Sequence, residues 1–359
     1  MRTGDGYYRT VTIICDRGRK GTLFCICRQG RYVDTKIERI PKIPPGLRDA
    51  AQRGVLIPFV GAGASRLAGS PGWKEFADRL LQQLVGAGRL TYAEVELLRH
   101  LTPRVKLSLA QSLAKQFEHL IDYSKLLHTD DQTKKEMGDR LHRALLSLGT
   151  TFVTTNYDEW LDKMKAPEPP IVDTVSAQPQ IPNGPTQMNA VCRKYDFVVN
   201  MFQPNTVIHL HGCMKDLDSM VLTMADYMHH YANDRDGDEN QVLTFLKNLF
   251  GMRSVLFVGY GLEEYEILEQ IIMQARRASE TGRVEDRHYL LQGFFSHESK
   301  LVEHLSNYYR HDCGVVLLPF LRDEKDREQI VDVLEAFAEQ IPASSPMVLQ
   351  DLNDMENLL

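Results

Sequence analysis

Six short apolar runs recur along the chain, at residues 55–60, 152–155, 207–210, 255–258, 288–291 and 315–318. Each is continuous rather than alternating, the pattern of a strand covered on both faces, and amphipathic stretches separate most of them. This predicts an α/β fold, a Rossmann-like parallel sheet with crossover helices. Between residues 73 and 148 the pattern is helical only. Trp73, Phe76, Ala77, Leu80, Leu81 and Leu84 make one apolar stripe, and further helices are expected over 92–101, 105–127 and 134–148. The stretch reads as a helical insertion. Residues 8–40 show three short β-branched or alternating runs parted by turns, an N-terminal β-meander. Pro41-Lys42-Ile43-Pro44-Pro45-Gly46 then breaks regular structure. The expected organisation is an arm over 1–44 for assembly or a partner, a body over 45–342 with its insertion at about 73–148, and a tail over 343–359. A proline-rich stretch, 166–187, is expected to be a long loop.

Composition narrows the class. The 359 residues are 43% hydrophobic and 25% charged, which excludes a fibrous or wholly disordered chain. No apolar run reaches the roughly 18–20 residues that span a bilayer, and the first residues lack an apolar leader core. Neither membrane nor secretion is expected. Six cysteines (15, 25, 27, 192, 213 and 313) are too few and too scattered for a disulfide framework. Free thiols and a cytoplasmic location are expected. Charge is uneven. Residues 1–53 hold twelve Lys/Arg against five acids although the whole chain is at −6, so a basic arm precedes an acidic body. The arm is expected to pack on an acidic surface of its own or another subunit. Nucleic acid contact is expected to be indirect or through this arm, since no aromatic-interleaved basic groove accompanies the charge.

Polar motifs close four of the apolar runs. Gly61-Ala62-Gly63-Ala64-Ser65 follows the first, Thr155-Asn156-Tyr157-Asp158 the second, His211-Gly212 the third and Gly259-Tyr260-Gly261-Leu262 the fourth. A lone Gly-x-Gly is a weak signal and equally a tight turn. Four polar tips on parallel strands are stronger, because ligands of open α/β sheets sit at the carboxyl ends of strands. Other histidines (119, 128, 229, 230) are read as solvated or core groups, and Trp73 and Trp160 as helix-borne core anchors. His209 is read as packing or supporting structure, on the other side of its strand from His211.

The four motifs in this order resemble the sirtuin family over about residues 47–320. The glycine loop matches its Gly-Ala-Gly-x-Ser, Thr155-Asn156-Tyr157-Asp158 its Gln-Asn-Ile-Asp, His211-Gly212 its His-Gly, and Gly259-Tyr260-Gly261-Leu262 its Gly-x-Ser-Leu. Pro71-Gly72-Trp73 and Leu222-Thr223-Met224-Ala225-Asp226-Tyr227 bring it nearer the zinc-less prokaryotic sirtuin-like NADases of antiphage defence. Departures are equally plain. Gly261 stands for the family's serine, and no Cys-x-x-Cys pair exists for the zinc module of protein deacylases. No metal is expected.

The resemblance implies NAD as substrate, cleaved by water to nicotinamide and ADP-ribose by an antiviral effector. Asn156 would position the ribose or water, Asp158 would meet the nicotinamide carboxamide, and His211 would be the general base, with a pKa near its ordinary value. Gly61, Ala62, Gly63, Ser65 and Thr155 would hold the dinucleotide, Ser65 and the amides of 62–64 at its phosphates. Gly259 and Gly261 would admit the adenosine half. Glu264 or Glu266, at the start of the following helix, would touch ribose hydroxyls. It also implies control by self-association and by a hexameric ATPase of the HerA type. The alternatives are an NAD-dependent protein deacylase, a non-catalytic NAD or nucleotide sensor, and a nuclease subunit.

Overall fold

The computed structural model describes residues 36–128, 130–164, 187–201, 203–232, 240–262, 264–280 and 287–341. All lie in the unit that runs from Thr35 onward. The meander proper, the proline-rich loop, Glu263 and the tail fall outside the described residues.

Seven parallel strands form one sheet: β1 (Leu56–Val60), β2 (Thr151–Thr154), β3 (Asn189–Val191), β4 (Thr206–His209), β5 (Ser254–Val258), β6 (His288–Phe294) and β7 (Val315–Leu321). Their order is β3-β4-β2-β1-β5-β6-β7. Six of them are the apolar runs of the sequence. β3 carries a single buried apolar residue, Val191, in three positions, too little pattern to announce a strand. Alternate side chains feed two cores. Leu56, Val60, Phe152, Val207, Leu256, Tyr289 and Leu318 pack on one face. Ile57, Phe59, Val153, Ile208, Phe257, Leu290 and Leu317 pack on the other. Each large side chain so buried contributes about 1.5–3 kcal/mol, and helices cover both faces.

The chain leaves β1 toward β2 on one side and later returns to β5 on the other. The carboxyl ends of β1 and β5 therefore flank the point where strand order reverses, the place such sheets leave open for a ligand. Residues 36–44 pack on this body: Ile37 is buried, and Arg39 pairs with Glu324 and Asp332.

The insertion is helical, with boundaries that differ from expectation. α1 (Pro45–Gln52) precedes β1 and α2 (Ala62–Leu67) follows it. The insertion then comprises α3 (Trp73–Gly86), α4 (Tyr92–Leu97), α5 (Pro103–Gln116), α6 (Tyr123–Leu127) and α7 (Gln132–Leu146). The single helix expected over 105–127 is two. Glu118 adopts φ 51°, and the His119 and Glu118 amides donate to the carbonyls of Ala114 and Lys115. That is a Schellman stop built without the usual glycine, so no residue advertised it. Asp122 then caps α6. Phe76, Leu80, Leu81, Leu84 and Leu107 pack together with Tyr157, Met220 and Leu222, which lie beyond the tips of β2 and β4. The insertion thus leans on the strand-tip loops.

The remaining helices are α8 (Phe197–Asn200), α9 (Met224–Tyr231), α10 (Gln241–Met252), α11 (Tyr265–Glu280), α12 (Ser299–Tyr308) and α13 (Gln329–Gln340). One cysteine expectation is corrected. Cys192, after β3, and Cys213, after the tip of β4, are joined as a disulfide, while Cys313 is free and buried. Folding brings together thiols that are 21 residues apart, a proximity invisible in their spacing. Trp160 lies in a turn against His142 rather than on a helix. Among the described residues no helix is long and apolar enough to cross a membrane.

Candidate active site

The glycine loop and the β5 tip are one interlocked unit. Gly61 N–H donates to the Val258 carbonyl at 2.9 Å and Gly63 N–H to the Gly259 carbonyl at 2.8 Å. Gly259 has φ 62°, and a Cβ there would sit 2.4 Å from the Ala64 nitrogen. A Cβ on Gly61 would meet Gly259 O at 2.6 Å. These glycines are needed for backbone to touch backbone. The expected phosphate-holding set narrows accordingly. The amides of Gly63 and Ala64 are already bonded within the loops, which leaves Ala62 at the crevice wall.

β2 hands its end to the same place. Thr154 Oγ1 donates to the Val60 carbonyl at 2.7 Å and accepts from Asn156 N–H at 3.0 Å. The Asn156 amide donates to Ser65 Oγ at 2.7 Å, with both residues buried. Ser65 was expected at a phosphate; here it holds Asn156 and also bonds Asp158. Burial pushes the Asp158 carboxyl up. Tyr157 turns outward into the insertion, edge-on to Trp73, and its hydroxyl donates to the Val221 carbonyl at 2.6 Å.

Beneath this loop lies a network the sequence did not announce. His209 Nδ1 lies 2.9 Å from the Asn156 carbonyl and Nε2 2.7 Å from Asp162 Oδ1, while Asp162 Oδ2 lies 3.0 Å from Lys215 Nζ. Both acceptors around the ring require an N–H, so His209 is an imidazolium. Its pKa is raised by the Asp162 carboxylate against the cost of burial, and that of Asp162 is lowered by His209 and Lys215 against the same cost. His209 is thus a supporting group, as expected. Its place opposite His211 is corrected in cause: residues two apart in a strand share a face, and the separation comes instead from the strand ending at His209 and turning, with Gly212 at φ 79°.

His211 is fully buried. Its Nε2 lies 2.9 Å from the Tyr231 hydroxyl and 3.4 Å from Glu264 Oε2, and its Nδ1 lies 3.3 Å from the Tyr227 hydroxyl. Burial, reinforced by His230 and Arg104, pushes its pKa well below the ordinary value. The expectation of an unshifted pKa is corrected: His211 is a neutral imidazole at physiological pH. Although 3.4 Å satisfies an ion-pair distance, both partners are neutral, because burial also raises Glu264 to about 8.

These tips surround a crevice of about 450 Å³ lined by Ala62, Thr155, Gly259, Gly261, Arg104 and Glu264, among others. Asn156, Ser65 and Asp158 lie behind its wall, and so does His211. A larger open groove of about 1200 Å³ runs along α3. It shares Trp73 with the crevice but carries none of the strand-tip motif residues, so size does not make it the site. Three residues entered from outside the motifs as first read: Arg104 at the start of α5, Tyr231 on α9, and Asp162; Tyr227 belongs to the Leu-Thr-x-x-Asp-Tyr element, for which no role had been read. The sequence signal for the tyrosines was their i, i+4 spacing, which puts both on one helix face. Thr223 and Asp226 form the capping box that starts α9, so the Leu-Thr-x-x-Asp-Tyr element exists to present Tyr227 to His211. Among the described residues no group of His, Cys, Asp or Glu is arranged to hold a metal.

Comparison with known proteins agrees with this geometry. Residues 150–313 match the SIR2-like domain family, a span that includes Asn156, Asp158, His211 and Gly259. Over 228 residues, 62% of this chain, the sequence is 24% identical to Defense-associated sirtuin 2 of Bacillus subtilis. The match covers 19% of that much longer protein. The Asn156, His211 and Gly259 tips of the site thus fall in a stretch of the chain that is similar to the SIR2-like domain family.

Proposed function

We propose that this protein hydrolyses NAD at the nicotinamide–ribose bond and does so as an effector of antiviral defence. The observation that carries the reading is the meeting of the glycine loop, the Asn156 loop, the His211 turn and the Gly259 turn at one reversal point of the sheet. The defence role rests on likeness to a relative whose name states it. Water rather than an acyl-lysine is the favoured acceptor because the sequence lacks the paired Cys-x-x-Cys of deacylating sirtuins.

The reaction needs few groups. The glycosidic bond leaves its electron pair on the pyridinium nitrogen, releasing neutral nicotinamide. An oxocarbenium-like ribose is left that water must reach in line. Asn156, pinned through Ser65 and through the His209–Asp162 network, has a fixed carboxamide to orient ribose or water. Neutral His211 has a ring nitrogen able to accept the proton that water loses. Arg104 and the Ala62 amide supply positive character for the pyrophosphate. Incubating the protein with NAD and quantifying nicotinamide and ADP-ribose tests this. Asn156→Ala and His211→Ala should each lower release by at least about 100-fold; unchanged turnover in both refutes the assignment. Self-association and a HerA-type hexameric ATPase are proposed as the controls on a chain that would otherwise drain a central cofactor. Mass photometry of the full chain against one lacking residues 1–44, with and without that ATPase, tests the arm's part in assembly.

A further inference from the structure

His211 presents a difficulty that the crevice resolves. It is fully buried and does not line the cavity, yet the proposed reaction asks it to receive a proton from a nucleophile in that cavity. Glu264 both lines the crevice and reaches the imidazole, with Oε2 3.4 Å from His211 Nε2. That oxygen is buried and has no hydrogen-bond partner. A carboxyl oxygen left so is costly unless it is used. Glu264 stands just before α11, where the Leu268 amide bonds its carbonyl and fixes the backbone.

We propose that Glu264 is the proton relay of the site, taking the nucleophile's proton in the crevice, which the buried His211 does not reach, with His211 as its neighbour. This rests on the NAD-hydrolase reading and deepens it. As the water oxygen bonds to the glycosyl carbon, its proton passes to the Glu264 carboxylate. The carbon–nitrogen bond breaks with its electron pair going to the pyridinium nitrogen. Glu264 then gives the proton up to solvent in the crevice, which regenerates the carboxylate.

The groups that face Glu264 set its charge. Arg104 from α5 favours the carboxylate, and Glu266 on α11 opposes it. His211 faces it from the β4 turn. The hydroxyls of Tyr260, Tyr157, Tyr227 and Tyr231 surround it, and all four are kept neutral by burial and by the carboxyl itself. With Glu264 raised to about 8, the relay is charged in a growing fraction of molecules as pH climbs from 7 to 9. An ionised Glu264 in turn strengthens His211 as a base.

Two measurements on the full chain test this. The first is the pH profile of nicotinamide release from saturating NAD. The wild type should gain rate toward an inflection near pH 8, Glu264→Gln should lose at least about 100-fold in kcat and that inflection, and Glu264→Asp should recover part of both. The second does not need turnover. In nitrogen-15 spectra of the histidine rings, assigned with His211→Asn, the His211 signal should shift with an inflection near pH 8 that Glu264→Gln removes. Wild-type turnover with an unchanged rate and profile in Glu264→Gln, or a His211 signal indifferent to that substitution, overturns the relay. No nicotinamide release by the wild type, with the coupled inflection present, defeats the hydrolase reading and leaves the carboxyl–imidazole pair standing.

Discussion

Replacing Asp162 by Asn removes one charge from a fully buried pair while keeping the side chain's shape. In the native protein its two oxygens face His209 at 2.7 Å and Lys215 at 3.0 Å, and His209 in turn holds the Asn156 carbonyl. Removing one partner of such a pair costs about 3–5 kcal/mol, because the other charge stays buried without compensation. An unfolding entropy near 2.1 cal/mol/K per residue makes each kcal/mol worth about 1.3 °C in a chain this long. The expected fall in melting temperature is therefore about 4–7 °C.

The pH of that measurement matters. His209 has a folded pKa raised above 6.5, so its contribution is complete below 6.5 and is lost as pH rises through the folded value. Asp162 is lowered from 3.8, so its contribution is complete above 3.8 and is lost as pH falls through the folded value. The pair is at full strength between those limits, and calorimetry at pH 6 should show the largest effect. A double variant, His209→Phe with Asp162→Leu, should recover most of the stability, since apolar groups of similar volume replace a buried pair at little cost. It should still release nicotinamide poorly, because nothing then holds the Asn156 carbonyl. An Asp162→Asn protein melting within about 1 °C of wild type at pH 6 would refute the reasoning.

Two further outcomes follow from the same geometry. Gly259→Ala forces a Cβ against the Ala64 nitrogen and an L residue into φ 62°. The left-handed conformation alone costs about 1–2 kcal/mol, so melting temperature and NAD affinity by calorimetric titration should fall together, and loss of neither would contradict the interlocked loops. Glu264, raised from 4.5 to about 8, holds a proton that the unfolded chain has shed across that interval. Its stabilising contribution is thus complete below 4.5 and gone above about 8, a change of up to about 5 kcal/mol. The melting temperature of Glu264→Gln minus that of wild type should grow more positive from pH 5 to pH 8.5; a constant difference would speak against the raised pKa.

Much of this molecule was legible before its structure. Continuous apolar runs mark strands that helices cover on both faces, so six of the seven strands, their parallel sense and the polar residues at their tips could be read directly. What escaped depended on contacts between distant segments. β3 is held by its neighbour β4 rather than by its own three residues. The stop at Glu118 uses a backbone conformation that glycine usually supplies. The Cys192–Cys213 link, the His209–Asp162–Lys215 network and the aromatic wall around His211 each join side chains far apart in sequence. The shift of His211 belongs to the same class, since a pKa is set by burial and neighbours, neither of which composition reveals.

The most direct test of the central claim is a crystal structure of the full chain with NAD or its non-hydrolysable carbocyclic analogue. The account predicts one dinucleotide across the β1–β5 reversal point, its pyrophosphate against the Ala62 amide and Arg104. The glycosidic carbon should lie on the Asn156 side of the crevice, and Glu264 between the attacking position and His211. A dinucleotide bound in the open groove along α3, or one whose glycosidic carbon faces away from Asn156 and Glu264, would contradict it.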